Sequence, residues 1–119
     1  MKDEKLYLIH MAECIQRIEE YTAEGRRAFF NDRKTQDAVL RNLQTLAESS
    51  QRIPPAWKTS RPEVDWAGLS AFRNVVVHDY LGIDLEEIWE IVEKDLPALK
   101  SKVEELAREL GISLKPPLS

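Results

Sequence analysis

Four polar side chains that can act on a phosphate group fall within eight residues of this 119-residue chain. Arg73 supplies a fixed cation and Asn74 an amide, while His78 supplies an imidazole and Tyr80 a phenol. A histidine of near-neutral pKa can take the proton from a 2′-hydroxyl or give one to a leaving oxygen. An arginine fork matches the oxygens of a phosphate whose negative charge grows in the transition state. The set therefore indicates cleavage of an RNA phosphodiester, which needs no metal if the 2′-hydroxyl itself attacks.

The spacing of these residues decides how they can meet. At about 100° per helical residue, Asn74 and His78 lie one turn apart on the same face. Arg73 and His78 are five residues apart, so their directions differ by roughly 140°. One ideal helix does not aim both at a single point. Arg73 is long enough to wrap partly around, and a two-fold dimer would bring two copies of the helix into one cleft.

Each of these residues also has an ordinary structural interpretation, which the residues alone leave open. A histidine on a helix is commonly structural or solvated. An arginine beside an apolar stripe commonly pairs with an acid, and Asp79 or Glu48 could serve Arg73. Tyr80 fits a core aromatic whose hydroxyl reaches the surface.

The other reactive residue types offer less chemistry. We expect His10 at the surface, Cys14 as a small buried hydrophobe and the acidic run 86–90 as a solvated face. Two histidines and one cysteine without HExxH-type spacing make no convincing metal site, so we expect neither a metal nor another cofactor. A single cysteine also excludes an intramolecular disulfide framework.

Composition favours one globular domain over residues 1–119, because 43% hydrophobic residues supply one core at this length. No run approaches the roughly 18 apolar residues of a membrane span, and the N-terminus lacks the apolar core of a signal peptide. We therefore expect a soluble, cytoplasmic protein without membrane contact. Net charge is −4, with a slightly basic first half and an acidic second half, so any contact with RNA must rest on a local site.

Hydrophobic periodicity predicts helices throughout. We expect them over residues 3–30 with a break at Gly25, over 32–52 ending before Pro54, over 65–81 capped by Asp65, and from Asp84 to Gly111. Residues 53–65 read as a loop or short helical turn in which Trp57 plugs the core. The fold class is therefore all-α, an antiparallel bundle of four to five helices, with an ordered core at about 3–110 and a tail at 111–119.

Two points in this assignment stay open. The β-branched run 75–77 favours a short buried strand as the rival to helix, although the apolar spacing continues on both sides of it, and Gly82 would end that helix. Pro97 interrupts the last stripe, so the helix either bends there or restarts with Asp95 as its cap.

The pattern Arg73-x4-His78-x-Tyr80 resembles the R-x4-H-x-Y signature of HepT-like toxins in the HEPN superfamily of ribonucleases. Residues 37–44 resemble the family's second-helix block, and Pro54 with residues 66–69 resembles its loop before the motif helix. Residues 83–91 and 96–99 resemble its closing helix. The similarity covers roughly residues 3–108, in the family's order.

The resemblance implies a dimeric HEPN helical bundle that acts as a metal-independent endoribonuclease, the toxin of a type II/VII-like toxin–antitoxin pair. Arg73 and His78 would be catalytic residues, contributed by both protomers to a cleft at the homodimer interface, and Asn74 would orient the phosphate. Tyr80 would be modified with AMP by a minimal nucleotidyltransferase antitoxin, which blocks RNA by size and charge.

Two alternatives compete with this hypothesis. A non-catalytic subunit could present substrate to a nucleotidyltransferase, with Arg73 and His78 binding a phosphate without cleaving it. A structural dimer or adaptor could instead recruit partners through the long apolar stripe over 85–110.

Overall fold

A computed structural model describes residues 3–70 and 84–114, and within these ranges the chain forms helices and no strand. The predicted all-α class is confirmed. The helices are α1 (Glu4–Tyr21), α2 (Arg26–Phe30), α3 (Arg33–Arg52), α4 (Pro55–Thr59), α5 (Leu85–Glu90) and α6 (Leu96–Leu110). Residues 66–70 are also helical, and a π-helical turn (Ile91–Asp95) joins α5 to α6. The dimer and the single domain over 1–119 stay predictions.

Short polar residues start the first two long helices. The Asp3 carboxylate accepts a hydrogen bond from the backbone N–H of Lys5 at 3.0 Å, and Asp32 accepts one from Lys34 at 3.1 Å. Each bond satisfies a backbone donor that the first helical turn leaves unpaired. Between these helices, Gly25 has a φ of +99°, which only glycine adopts readily, so the predicted break is confirmed.

The apolar stripes of α1 and α3 form one core. Among their members, Leu8, Met11, Ile15, Ile18, Val39, Leu43, Leu46 and Ser50 are buried. After α3, Pro54 stops the helix as predicted, and the chain turns through α4, which realises the short helical alternative for this segment. Trp57 is half-buried and packs against the core, as predicted.

Two contacts between helix ends show that the long helices run antiparallel. The Arg52 guanidinium, at the end of α3, lies over the ring of Tyr7 near the start of α1, 5.8 Å from its centroid. Lys100, near the start of α6, places its Nζ 3.1 Å from a carboxylate oxygen of Glu19 near the end of α1. Both α3 and α6 therefore pack beside α1 in the opposite direction, which confirms the predicted bundle arrangement.

The helix does not restart at a capped N-terminus before Pro97, and it does not run through this region as a regular α-helix. The Asp95 side chain makes no capping hydrogen bond, so the alternative that assigned it a cap is wrong. Instead the backbone widens into the π-helical turn, in which the N–H of Leu96 donates to the carbonyl of Ile91, five residues back. Pro97 follows as the second residue of α6, and it has no backbone N–H to donate into the preceding turn.

The end of α6 follows the predicted glycine stop. Gly111 adopts a left-handed φ of +69°. The N–H of Ile112 donates to the carbonyl of Ala107 at 2.8 Å, and that of Gly111 donates to Arg108 at 3.3 Å. This pair of bonds is the Schellman motif, which satisfies carbonyls that the last turn leaves unpaired.

The two reactive side chains of α1 lie where the sequence predicts them, Cys14 in the core and His10 at the surface. Cys14 is 1% exposed, and burial raises the pKa of its thiol to about 11, so the nucleophilic thiolate is scarce at neutral pH. His10 is exposed and stands edge-on to the ring of Tyr7, with 6.2 Å between the ring centroids.

No helix in the described ranges is both long and apolar enough to cross a membrane.

Candidate functional site

The predicted site residues Arg73, Asn74, His78 and Tyr80 lie outside the described residues, as do the valine run 75–77 and Gly82. The structure describes the chain immediately before this segment, up to residue 70, and immediately after it, from Asp84. These two flanks determine where the polypeptide enters and leaves the segment that carries the motif.

An aspartate cap starts the helical residues 66–70. The Asp65 carboxylate accepts a hydrogen bond from the N–H of Gly68 at 2.9 Å, and the Asp65 carbonyl accepts one from Leu69 at 3.0 Å. The predicted N-cap is therefore confirmed. A methyl group at Gly68 would lie 2.3 Å from an Asp65 carboxylate oxygen, closer than two such atoms can approach. The glycine leaves room for the capping carboxylate.

The loop before this cap is held on the last helix by a buried arginine. Arg61 is 8% exposed, and its Nη2 donates to a carboxylate oxygen of Glu109 on α6. Its Nε lies 3.1 Å from a carboxylate oxygen of Glu105, within ion-pair distance but outside hydrogen-bond alignment. Its Nη1 donates to the carbonyl of Ser60 at 3.0 Å. The hydrogen bond to Glu109 raises the pKa of Arg61 further, and the carboxylate charges of Glu109, Glu105 and Glu63 act in the same direction.

A second ion pair reinforces the same junction. Lys102 of α6 places its Nζ 2.9 Å from Glu63 and 3.4 Å from Glu105. The hydrogen bond from Lys102 lowers the pKa of Glu63, and the same bond raises the pKa of Lys102. Five side chains therefore form one network across the loop and α6, which we name the Arg61 cluster: Arg61, Glu63, Lys102, Glu105 and Glu109.

A tryptophan ties the Arg61 cluster to the helical residues that follow. The indole Nε1 of Trp66 donates to the carbonyl of Arg61 at 3.0 Å, and the N–H of Val64 donates to the same carbonyl at 3.2 Å. Trp66 is also half-buried against the core. The backbone of Arg61 thus fixes the turn, while its guanidinium fixes that turn to α6.

The other flank is anchored by different chemistry. Asp84 accepts a hydrogen bond from the N–H of Glu86 at 2.9 Å, which confirms the predicted start of the last helical segment. Trp89 of α5 packs on Phe29 of α2 with 5.4 Å between ring centroids, and Glu86 forms an ion pair with Arg26. The acidic residues of this run are exposed, as predicted, whereas its tryptophan is buried.

A cavity of about 400 Å³ lies beside the Arg61 cluster. Apolar side chains dominate its walls: Leu43, Val64, Leu69, Ile91, Leu96 and Leu99. Asp65 and Asp95 line it as well, together with the paired Glu63 and Lys102. In the ranges 3–70 and 84–114, no three histidine, cysteine or carboxylate side chains are placed to hold a metal ion.

The Arg61 cluster was missed from the sequence. Lys102, Glu105 and Glu109 fall three and four residues apart on one helix face, which is a recognisable polar stripe. Nothing in the sequence shows that this stripe receives the arginine of a loop more than forty residues away. The nearest signal is an arginine placed between Ser60 and Pro62 in an otherwise turn-like segment.

Comparison with known proteins gives a family match over residues 11–106, to the family described as Ribonuclease HepT-like. The chain is 39% identical to a probable ribonuclease HepT of Thermococcus cleftensis, over 90% of this chain and 98% of the relative. It is 31% identical to a candidate RNase of Methanocaldococcus jannaschii, over 92% of this chain and 91% of the relative.

A third relative, also from Methanocaldococcus jannaschii, is named as a gamma-glutamylcyclotransferase and candidate RNase. The identity is 34% over 92% of this chain, but the match spans only 50% of that longer relative. No solved structure gives a significant match.

We predict an energetic coupling between Asp65 and Gly68. Gly68→Ala alone should gain no stability, because the new methyl displaces the Asp65 carboxylate and removes a cap that contributes about 1 kcal/mol. In an Asp65→Ala background, the same change should stabilise by about 0.5–1 kcal/mol, because alanine favours helix over glycine. Urea unfolding of the four proteins measures the coupling, which we expect near 1 kcal/mol. Equal effects in both backgrounds would contradict the cap geometry.

Proposed function

Because this chain belongs to the HepT-like ribonuclease family, we propose that it is a metal-independent endoribonuclease and the toxin of a cytoplasmic toxin–antitoxin pair. One observation carries the proposal: the family match over residues 11–106 includes the whole signature Arg73-x4-His78-x-Tyr80. The names of the relatives, which all contain RNase or ribonuclease, support the same activity.

The proposed reaction uses the RNA itself as the nucleophile. The 2′-hydroxyl attacks the adjacent phosphorus, the bond to the 5′-oxygen breaks, and the products are a 2′,3′-cyclic phosphate and a free 5′-hydroxyl. The 2′-hydroxyl loses a proton and the 5′-oxygen gains one. His78 transfers the proton at one of these two oxygens and solvent water does so at the other, since the ordinary pKa of a histidine side chain is near 6.5. Arg73 stabilises the charge that develops on the phosphate, and Asn74 orients a phosphate oxygen.

The proposed site is shared between two subunits. The roughly 140° that ideal helical geometry predicts between Arg73 and His78 is the support for this step, because a two-fold axis can place the arginine of one copy near the histidine of the other. Arg73 supplies a local cation in a chain whose net charge is −4, so RNA contact is confined to the proposed cleft.

The proposed control of the toxin acts on Tyr80, two residues after His78. A minimal nucleotidyltransferase antitoxin would transfer the adenylyl group of ATP to the phenol oxygen and release pyrophosphate. The product carries a bulky anion near the phosphate-binding arginine, so it repels RNA by charge and by size.

Replacing His78 with alanine should abolish RNA cleavage. We expect a loss of at least about 100-fold for His78→Ala, because proton transfer in the transition state is lost. Arg73→Ala should lose about 100- to 1000-fold, because the developing charge loses its partner. Cleavage of labelled RNA, in the presence of excess chelator, measures both.

His10→Ala is the matched control, because His10 is exposed on α1 and has no place in the proposed site. It should cleave at the parent rate. Intact RNA with the parent protein would favour the non-catalytic binding subunit. Equal cleavage by the parent and His78→Ala would exclude His78 as the catalytic histidine.

A mixed dimer tests whether the two subunits share each site. The Arg73→Ala and His78→Ala subunits, given different tags and purified as a heterodimer, should recover about half of the parent rate, because one of two sites regains a native pair. A heterodimer as inactive as the Arg73→Ala and His78→Ala homodimers would show that both residues act from the same subunit.

Tyr80→Phe should remain an active nuclease but escape modification by the antitoxin, because it lacks the oxygen that receives the adenylyl group. Intact mass after incubation with the nucleotidyltransferase and ATP measures the adduct. Tyr21→Phe, which removes the hydroxyl of a 40%-exposed tyrosine on α1, is the control and should be modified like the parent. An AMP adduct that persists on Tyr80→Phe would contradict the assignment.

A further inference from the structure

We propose that Arg61 is a positioning residue for the catalytic segment, acting through the Arg61 cluster and Trp66. The inference rests on the proposed function, since it concerns the same site. It adds a residue that lies outside the signature and twelve positions before Arg73.

The burial of Arg61 is unusual for its type. Within residues 3–70 and 84–114, it is the only charged residue that is buried. Moving a guanidinium out of water is costly unless its donors find acceptors, and apolar side chains of similar volume often replace such groups without loss of stability. A charged side chain at this position therefore contributes more to the orientation of the loop against α6 than to the stability of the fold.

The direction comes from the shape of the guanidinium. Its Nε faces Glu105, its Nη2 donates to Glu109 and its Nη1 donates to the Ser60 carbonyl. Three acceptors on two different elements thus surround one rigid planar group. A lysine carries a single point charge on a flexible stem, without the rigid plane from which Nη1 and Nη2 donate to two different elements. The loop before the motif is therefore fixed in orientation against α6.

The fixed orientation is passed on to the helical residues 66–70. The Arg61 carbonyl accepts the Trp66 indole N–H at 3.0 Å, and Asp65 caps the turn that begins with Trp66. Arg73 follows only three residues after this stretch. In the proposed two-subunit site each copy of the segment contributes one catalytic residue, and misplacement of about 1 Å can cost about 100-fold in rate.

The test compares Arg61→Met with the parent and with a matched control. Arg61→Met keeps the volume but removes the three polar contacts, so we expect kcat to fall by about 10- to 100-fold while KM changes by less than about 3-fold. Arg61→Lys should recover only part of kcat. Lys100→Met is the control, because it removes the ion pair between α6 and Glu19 elsewhere on the same helix, and it should keep the parent kcat.

A second readout separates positioning from loss of folding. The Trp66 indole N–H resonance, assigned with Trp66→Phe, should shift in Arg61→Met and stay unchanged in Lys100→Met. Glu109→Gln provides a milder variant, since Glu109 is mostly exposed and its loss leaves the core intact. It should also lower kcat, by a smaller factor, without lowering the melting temperature beyond that of Lys100→Met.

The outcomes distinguish this inference from the proposed function. If the parent cleaves RNA and Arg61→Met cleaves with the same kcat, only the role of Arg61 is overturned. A fall in kcat that simply follows the melting temperature across all variants would assign Arg61 a purely structural role and overturn it as well. RNA left intact by the parent would overturn the proposed function, and the inference with it.

Discussion

The guanidinium of Arg61 joins two parts of the chain that have no covalent reason to be close. One is the loop that leads into the motif segment, and the other is the face of α6 that carries Glu105 and Glu109. The last helix is held in turn by the apolar core that it shares with α1 and α3. The loop is therefore joined to the bundle through the ion pairs of the Arg61 cluster, which are directional in a way that apolar packing is not.

The two flanks of the motif segment are fixed by different kinds of interaction. The upstream flank uses a buried arginine, an indole hydrogen bond and an aspartate cap. The downstream flank uses an aspartate cap and the packing of Trp89 on Phe29, with an exposed ion pair beside them. Aromatic packing tolerates small sliding movements, whereas the upstream contacts specify both distance and angle. Tight geometric control thus lies on the side nearer to Arg73.

Local signals in the sequence predicted most of the helix boundaries. Asp32, Asp65 and Asp84 each precede a helical run, and Gly25, Pro54 and Gly111 break or end one, because a cap or a stop depends on only a few neighbouring residues. The backbone conformation before Pro97 was harder to predict, since the sequence allows a bend, a restart or a widened turn. Tertiary packing selects among these conformations. The Arg61 cluster was out of reach, because an ion pair between residues 61 and 109 has no local signature. The site residues Arg73, Asn74, His78 and Tyr80 stay a prediction, which was possible because their chemistry is concentrated within eight positions.

The widened turn over Ile91–Asp95 has a consequence for the relative orientation of α5 and α6. A π-helical turn holds one more residue than an α-helical one, so it offsets the two helices by about 100° around their common axis compared with an unbroken α-helix. With that offset, Trp89 faces the first part of the bundle while the apolar stripe of α6 still faces α1. The π-helical turn thus sets the rotation of α5 relative to α6. Deleting one residue from this stretch would restore a regular α-helix without rotating either helix. Converting the turn to α-helix at constant length would instead rotate Trp89 away from Phe29.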